Sequence, residues 1–378
     1  MRQVIIRKAK YDYGSLRPAF FGIMDSLGGQ DIARGSRVVI KPNLLAPAPP
    51  EKAIVTHPLV VRAAAEYALE RGARPVISDS PAMGSFEKVL RESGIREALD
   101  GLPVEYREFR KSAQVSAGAP FRTLSIAEDA LDADVLINLP KLKTHAQMLL
   151  TLGVKNLFGC VVGLSKPEWH FRTGVDRDMF ARLLVEIYKA VNPSFTVLDG
   201  ILAMEGQGPG RSGTPRELGV LMGSRDAVAL DEAVCRMLGI GPGELPTCRA
   251  AKEAGLAAEE ISVDGEAPAV RGFKFPLTSP VVFGPKWMQG ALRRHFVQRP
   301  ESVAGKCAMC GECWKYCPAR AISRKGETGN KSKDKNKKLE FDYDKCIRCY
   351  CCIEVCPHGA LKAADTLPGR LLKKLMKR

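Results

Sequence analysis

Through its first 240 residues the chain alternates short β-branched apolar runs with stretches whose apolar positions recur at helical spacing. Val4-Ile5-Ile6 precedes a helix predicted near 15–27. The run 37–41 leads through a proline-rich loop (Pro42, Pro47, Pro49, Pro50) to a helix near 58–71, and 75–78 leads to a helix near 85–99. Further strands are predicted over 134–138, 196–199 and 220–222, and further helices near 148–158, 178–191 and 226–238. Repeated βαβ units imply an α/β fold, with a mostly parallel sheet and helices on both faces. Beyond residue 240 the pattern weakens. Residues 240–285 are rich in Gly and Pro. Trp287, Ala291, Leu292, His295 and Phe296 then return to helical spacing, which predicts a short amphipathic linker helix. The organisation expected is an α/β domain over 1–285, a linker helix over 286–302, a small α+β domain over 303–364 and a basic tail over 365–378.

Polar residues stand where the predicted strands end: Lys41 and Asn43, Asp79 and Ser80, Asn138 through Lys143, and Asp199. Ligands of open α/β sheets bind outside the carboxyl ends of the strands, so one shared crevice is expected. At any single position a turn role for Asn, Asp or Pro competes with that reading. The densest polar stretch is Asn138 to His145, followed by Lys155 and Asn156 and then by His170. Lys155 lies inside an apolar run from Leu149 to Val162. A buried amine there would have a lowered pKa and could act as base, nucleophile or cofactor anchor. A snorkelling lysine with its head in water fits the same pattern.

Charge is unevenly spread. Of the formal net charge of +15, the segment from Lys286 onward carries +13. That excess fits docking to an acidic redox partner, nucleic acid or an anionic membrane, and it fits equally a solvated surface around clusters that are themselves negative. Neither aromatic interleaving nor a helix–turn–helix pattern supports nucleic-acid binding. The short, basic C-terminal segment is marginal as a membrane-docking helix. No uncharged apolar run reaches the roughly 18 residues needed to span a bilayer. The first residues read as a strand rather than a signal peptide, so a soluble cytoplasmic protein is expected.

The cysteines sharpen the picture. Cys160, Cys235 and Cys248 are scattered, while the other nine of the twelve fall between Cys307 and Cys356. In a cytosolic chain such a concentration points to metal rather than to disulfides. Cys307, Cys310, Cys313 and Cys317 before Pro318 form one C-x2-C-x2-C-x3-C-P run, and Cys346, Cys349, Cys352 and Cys356 before Pro357 form a second. Three closely spaced thiolates wrap one cubane, and the fourth cysteine of each run completes the other cluster. Two 4Fe–4S clusters are therefore expected, one on Cys307, Cys310, Cys313 and Cys356, the other on Cys346, Cys349, Cys352 and Cys317. Cys351 is spare. The Lys-rich insert 324–338 between the runs reads as a flexible loop.

This module resembles bacterial two-cluster ferredoxins, which implies a compact α+β fold, low-potential one-electron transfer and usually an anaerobic host. Upstream, Lys41-Pro-Asn43, Thr56-His57-Pro58, Ser78-Asp79-Ser80-Pro81, Pro140 through His145, Val154-Lys155-Asn156-Leu-Phe-Gly159, Asp199-Gly200, Met204-Glu205-Gly206 and Asp226 through Asp231 resemble the family called domain of unknown function 362. The match covers about 35–240, and family members often carry the same C-terminal module. His145, Lys155 and His170 are also similar in spacing to a His, a Lys and a His of lactate racemases. That resemblance implies a nickel-pincer nucleotide anchored on Lys155, nickel on His170 and acid–base chemistry at His145. The racemase C-terminal domain is missing, and the glycine-rich sequence before its Lys is matched only by Gly153.

Two functions follow. In the first, two clusters pass electrons to a substrate or cofactor site in the α/β domain. Lys155, His145, His170 and Lys143 would be its catalytic candidates, and Lys41, Asn43, Asp79, Asn156 and Asp199 its binding residues. A small anion, or a further metal or nucleotide-type cofactor, would sit there. In the second, the chain is an electron-transfer or maturation partner with no substrate of its own. Either reading calls for a redox partner protein, and whether the chain is an enzyme stays open.

Overall fold

The structure is a computed structural model that describes residues 2–163, 165–173, 176–257, 259–276, 295, 297–324 and 339–375. Among the described residues ten strands form one mixed sheet, eight of them in the order Ile261–Asp264, Arg2–Lys8, Gly213–Ser224, Phe195–Gly206, Val135–Leu139, Arg37–Pro42, Arg74–Ile77 and Glu105–Tyr106. The last five run parallel, as the βαβ pattern predicts. Gly213–Ser224 runs antiparallel to both its neighbours. Lys141–His145 adds to Phe195–Gly206 and pairs on its other side with Leu149–Thr151.

Alternation along a strand sends successive side chains to opposite faces. Val38 and Ile40 pack with Leu16, Phe20, Val60 and Val61 beneath the helices Tyr13–Ser26 and Pro58–Glu70. Val39 packs on the other face with Phe180, Leu183 and Leu184 of the helix Arg177–Val191. Both faces are covered, which is why these strands read as continuous apolar runs. Pro58 begins its helix at a position where the missing N–H costs nothing.

Two predicted helices differ. The one near 85–99 is split into Phe86–Glu92 and Ile95–Ala98 by Gly94, whose φ of 74° ends the first piece. The one near 148–158 is the strand Leu149–Thr151, a single turn Gly153–Asn156 and a 3-10 turn Leu157–Cys160. Leu149 stands at φ 67°, a left-handed conformation that reverses the chain instead of starting a helix.

The cysteine-rich part is two-fold repetitive. Arg299–Ser302 pairs with Leu361–Ala364, Ile322–Arg324 pairs with Leu339–Phe341, and each cysteine run carries one short helix, Glu312–Lys315 or Cys351–Glu354. Of the predicted linker helix, 286–294 and 296 lie outside the described residues, as do 325–338 of the insert. Arg299–Ser302, placed in that helix by its sequence, is a strand. The tail forms the helix Leu367–Leu375, with Leu367 and Leu371 exposed.

Candidate functional site

Parallel strands that end together bring their polar termini together. Lys41 closes Arg37–Pro42 and Asn43 follows it, while Ser78-Asp79-Ser80 follows Arg74–Ile77. The chain leaves Val135–Leu139, turns at Pro140 and runs out as Lys141–His145, so Lys143 and His145 share one face of a strand. The turn Gly153–Asn156 adds Lys155 and Asn156. The helix Ser165–Thr173 adds Lys166 and His170, four residues apart and hence on one side. These groups line a cavity of about 320 Å³, of a size that suits a small ligand. Its remaining wall comes from the cysteine-rich part: Tyr316, Cys351, Glu354 and Val355.

Asp79 is held from three sides. Its Oδ1 takes the Lys41 ammonium at 2.9 Å and the Ser80 N–H at 2.9 Å, and its Oδ2 takes the Leu44 N–H at 3.0 Å. Gly159 makes that pair sterically feasible, because a Cβ there would overlap Asp79 Oδ1 and Lys41 Nζ. Beside it runs a one-directional chain of side-chain amides. Lys143 Nζ donates to Asn43 Oδ1 at 2.8 Å, Asn43 to Asn156 Oδ1 at 2.8 Å, Asn156 to Asn138 Oδ1 at 2.8 Å, and Asn138 to the Gly153 carbonyl at 3.0 Å. Lys143 also donates to the Ile54 carbonyl at 2.5 Å. No carboxylate neutralises it. Burial, reinforced by Lys155, drives its pKa well below the usual lysine value.

Lys155 makes no hydrogen bond or ion pair among the described residues. Its ammonium faces the rings of Phe158 and Phe180, at 5.5 and 5.7 Å from their centroids. Burial lowers its pKa, opposed by Glu354 and then Cys351. Lys166 donates to the Ser80 carbonyl, and burial brings it down to about 8. His145 Nδ1 accepts the backbone N–H groups of Gln147 and Met148, at 3.2 and 3.1 Å, so the neutral ring carries its proton on Nε2. That Nε2 stands 3.1 Å from Glu354 Oε1. Burial pushes His145 down to about 4. Burial alone would raise Glu354, but His145, Lys155 and His170 hold it down to about 2. The pair is thus a neutral imidazole against a carboxylate. His170 lies between Phe158 and Phe180, with no hydrogen-bond partner for its Nδ1 among the described residues.

Of the nine sequence candidates in the α/β part, eight meet in this cavity: Lys41, Asn43, Asp79, Lys143, His145, Lys155, Asn156 and His170. Asp199 does not. It is fully buried against Lys141, at 2.7 Å, and also accepts from the Tyr11 hydroxyl and the His57 N–H. The reversal at Pro140 sets Lys141 opposite Asp199, and the two charges satisfy each other. Sequence reasoning missed Lys166, Thr151, Cys351 and Glu354. Glu354 had one readable signal: it stands where the first cysteine repeat has Lys315, a reversal of charge within otherwise matching runs.

The cysteines fall into two groups. Cys307, Cys310, Cys313 and Cys356 line one small cavity. Burial, then the Cys356, Cys307 and Cys310 thiols, push the Cys313 thiol up to about 12. Around Cys352, burial and then Cys349, Cys346 and Cys317 act in the same direction. An all-thiol donor set suits iron–sulfur clusters. Matching backbone N–H groups point at two of the sulfurs: Ala321 at Cys317, 3.3 Å, and Ala360 at Cys356, 3.2 Å. Hydrogen bonds of this kind tune cluster potentials. Among the described residues no three His, Cys, Asp or Glu side chains lie close enough to hold a single metal ion.

Residues 38–236, more than half of the chain, match the family model described as Domain of unknown function (DUF362). The chain belongs to the DUF362 family. In this member, residues 306–360 also match a 4Fe–4S dicluster domain, so the α/β fold carries an iron–sulfur electron-transfer module. A thylakoid-associated protein of Synechocystis sp. is 38% identical over 303 residues, covering 78% of this chain and 94% of the relative. Pyruvate synthase subunit PorD of Thermotoga maritima is 36% identical over 66 residues, which are 18% of this chain and 58% of that subunit. Among solved structures, the lactate racemase apoprotein of Thermoanaerobacterium thermosaccharolyticum aligns with a TM-score of 0.41 at 12% identity, over 62% of this DUF362 chain and 57% of the racemase. No helix among the described residues is long and apolar enough to cross a membrane.

Proposed function

We propose that this protein is an iron–sulfur redox protein in which two 4Fe–4S clusters exchange electrons with a small anion held in the cavity. Cys307, Cys310, Cys313 and Cys356 would hold one cluster, and Cys346, Cys349, Cys352 and Cys317 the other. When bound, the clusters supply one-electron transfer. The observation that carries the reading is the composition of the shared wall. Three of the four residues that the module contributes adjoin a cysteine assigned to a cluster, Tyr316 next to Cys317, Cys351 next to Cys352 and Val355 next to Cys356, and the fourth, Glu354, stands midway between Cys352 and Cys356.

The chain's own residues do the rest. Lys155 and Lys143 line the cavity with no ion pair of their own among the described residues, which favours an anion or a developing oxyanion. His145 keeps a proton on Nε2 against Glu354, within the same wall. Phe158, Leu44 and Pro81 exclude water on the apolar side.

The likeness of the module to a pyruvate synthase subunit favours a second reading, in which the chain passes electrons to a partner enzyme and binds no substrate. Anaerobic purification separates the two. Iron and sulfide should each approach about eight per chain, two cubanes' worth, in wild type and in Lys155→Ala alike. Mass spectrometry of the denatured protein should find a stoichiometric small anion in wild type alone. Full iron with no released ligand in either protein would favour the partner reading, and zinc in place of iron would overturn the clusters.

A further inference from the structure

The two cysteine runs repeat one backbone path with different side chains on it. Arg348 stands in the second run where Met309 stands in the first, each just before the second cysteine of its run. Both residues are left-handed, at φ 57° and 54°. The Met309 sulfur is neutral and lies 3.6 Å from Cys307 Sγ. Arg348 brings a guanidinium, which keeps its charge in a protein, yet the residue is only 4% exposed. Its Nε and Nη1 have no hydrogen-bond partner among the described residues. Arg299 shares the Tyr343 ring with it, at 4.5 and 5.1 Å from the centroid. Arg299 has Glu301 at 3.0 Å, whereas Arg348 has no ion pair among the described residues.

A buried cation without a counter-ion is costly, and buried donors without acceptors are rare. A cluster on the flanking cysteines answers both needs, because it carries negative charge and its sulfurs accept hydrogen bonds.

We propose that Arg348 sets the reduction potential of the cluster on Cys346, Cys349, Cys352 and Cys317, raising it above what the buried cysteines alone would give. This rests on the reading of those cysteines as cluster ligands. Reduction adds negative charge, which burial opposes and a fixed guanidinium favours. Cys349 and Cys352 are buried, whereas Cys310 of the other cluster is exposed. Two cysteines of the inner cluster, Cys317 and Cys352, adjoin Tyr316 and Cys351 of the cavity wall, against one of the outer cluster, Cys356 beside Val355. Arg348 thereby keeps the cluster beside the cavity able to take an electron from the exposed one, which is oxidised in the same step.

Potentiometric titration of the anaerobically purified full chain, followed by electron paramagnetic resonance, tests it. Arg348→Met copies the residue of the first run into a backbone conformation that Met309 already adopts. One of the two cluster potentials should fall by at least about 59 mV, tenfold in a one-electron equilibrium, while the other stays at its wild-type value. Arg348→Lys keeps the charge and should give a potential between the two. Iron content reports whether both clusters are retained. If Arg348→Met loses iron, Met309→Arg takes its place and should raise the other potential. Unchanged potentials in whichever variant keeps its iron, or an equal displacement of both, overturn the role of Arg348. Wild type that holds no iron overturns the clusters themselves.

Discussion

Lys141 and Lys143 stand two residues apart on one strand, both buried, and meet opposite fates. Lys141 is neutralised by Asp199 and belongs to the framework, whereas Lys143 has only an amide oxygen and a peptide carbonyl. The residue type was readable in the sequence, but the partner was not, because Asp199 arrives from another strand. The histidines carry the same lesson into pH. Burial first, then Lys155 and His145, push His170 down to about 3 against the opposing pull of Glu354. Unfolded, the ring titrates near 6.5. Its contribution to stability is therefore complete above about pH 6.5. As the pH falls toward 3, the unfolded chain takes up a proton that the folded chain refuses. Well inside that window this ring alone lowers stability by about 1.4 kcal/mol per pH unit. His170→Phe keeps an aromatic ring among Phe158 and Phe180 and removes the proton site. Its urea-unfolding free energy should fall less steeply than that of wild type between about pH 5.5 and 4.5, and parallel slopes would refute the assignment.

At the scale of elements, the position of Lys155 depends on a single turn of helix that could not stand alone. Asp231, from the helix Ala227–Met237, accepts the N–H groups of Gly153 and Val154 at 2.7 and 3.1 Å and pins that turn. Asp231→Ala leaves two buried donors unmade, which should cost on the order of 2 kcal/mol or more. It should also weaken anion binding about tenfold by loosening Lys155. Unchanged affinity in calorimetry would show that the turn holds itself. The apolar run from Leu149 to Val162 hid this construction. Periodicity does not separate a short buried strand from a buried helix, and the left-handed Leu149 that breaks the run leaves no mark in composition. The longer elements were legible because Tyr13–Ser26, Pro58–Glu70 and Arg177–Val191 each bury one apolar stripe against the sheet.

For the whole molecule, the cavity exists because two parts touch. The connection between Phe195–Gly206 and Gly213–Ser224 reaches the cysteine-rich part, where Ser212 Oγ donates to the Leu361 carbonyl at 3.3 Å. At Gly210 the backbones approach so closely that a Cβ would lie 2.9 Å from the Glu354 carbonyl oxygen. Gly210→Val should push the module outward and part Glu354 from His145. Iron and sulfide should stay at wild-type levels, because no assigned cysteine moves relative to its own group, while the retained small anion is lost. Loss of iron together with the ligand would mean that the module does not hold its clusters independently.

The repeat of eight cysteines announced an iron–sulfur module, and the βαβ alternation announced the sheet, because both are written in short-range spacing: loops that wrap a cubane, and side chains that alternate across a strand. Strand ends likewise marked Lys41, Asn43, Asp79 and Lys143, since parallel strands finish on one edge. What spacing does not contain is which distant segment a buried charge will meet. Packing alone set Asp199 against Lys141, delivered Lys166 from a helix beyond the apolar run, and closed the cavity with Glu354 from inside the second cysteine run. Those pairings are fixed by how two separately patterned surfaces fit, and neither stretch of chain carries the other's address.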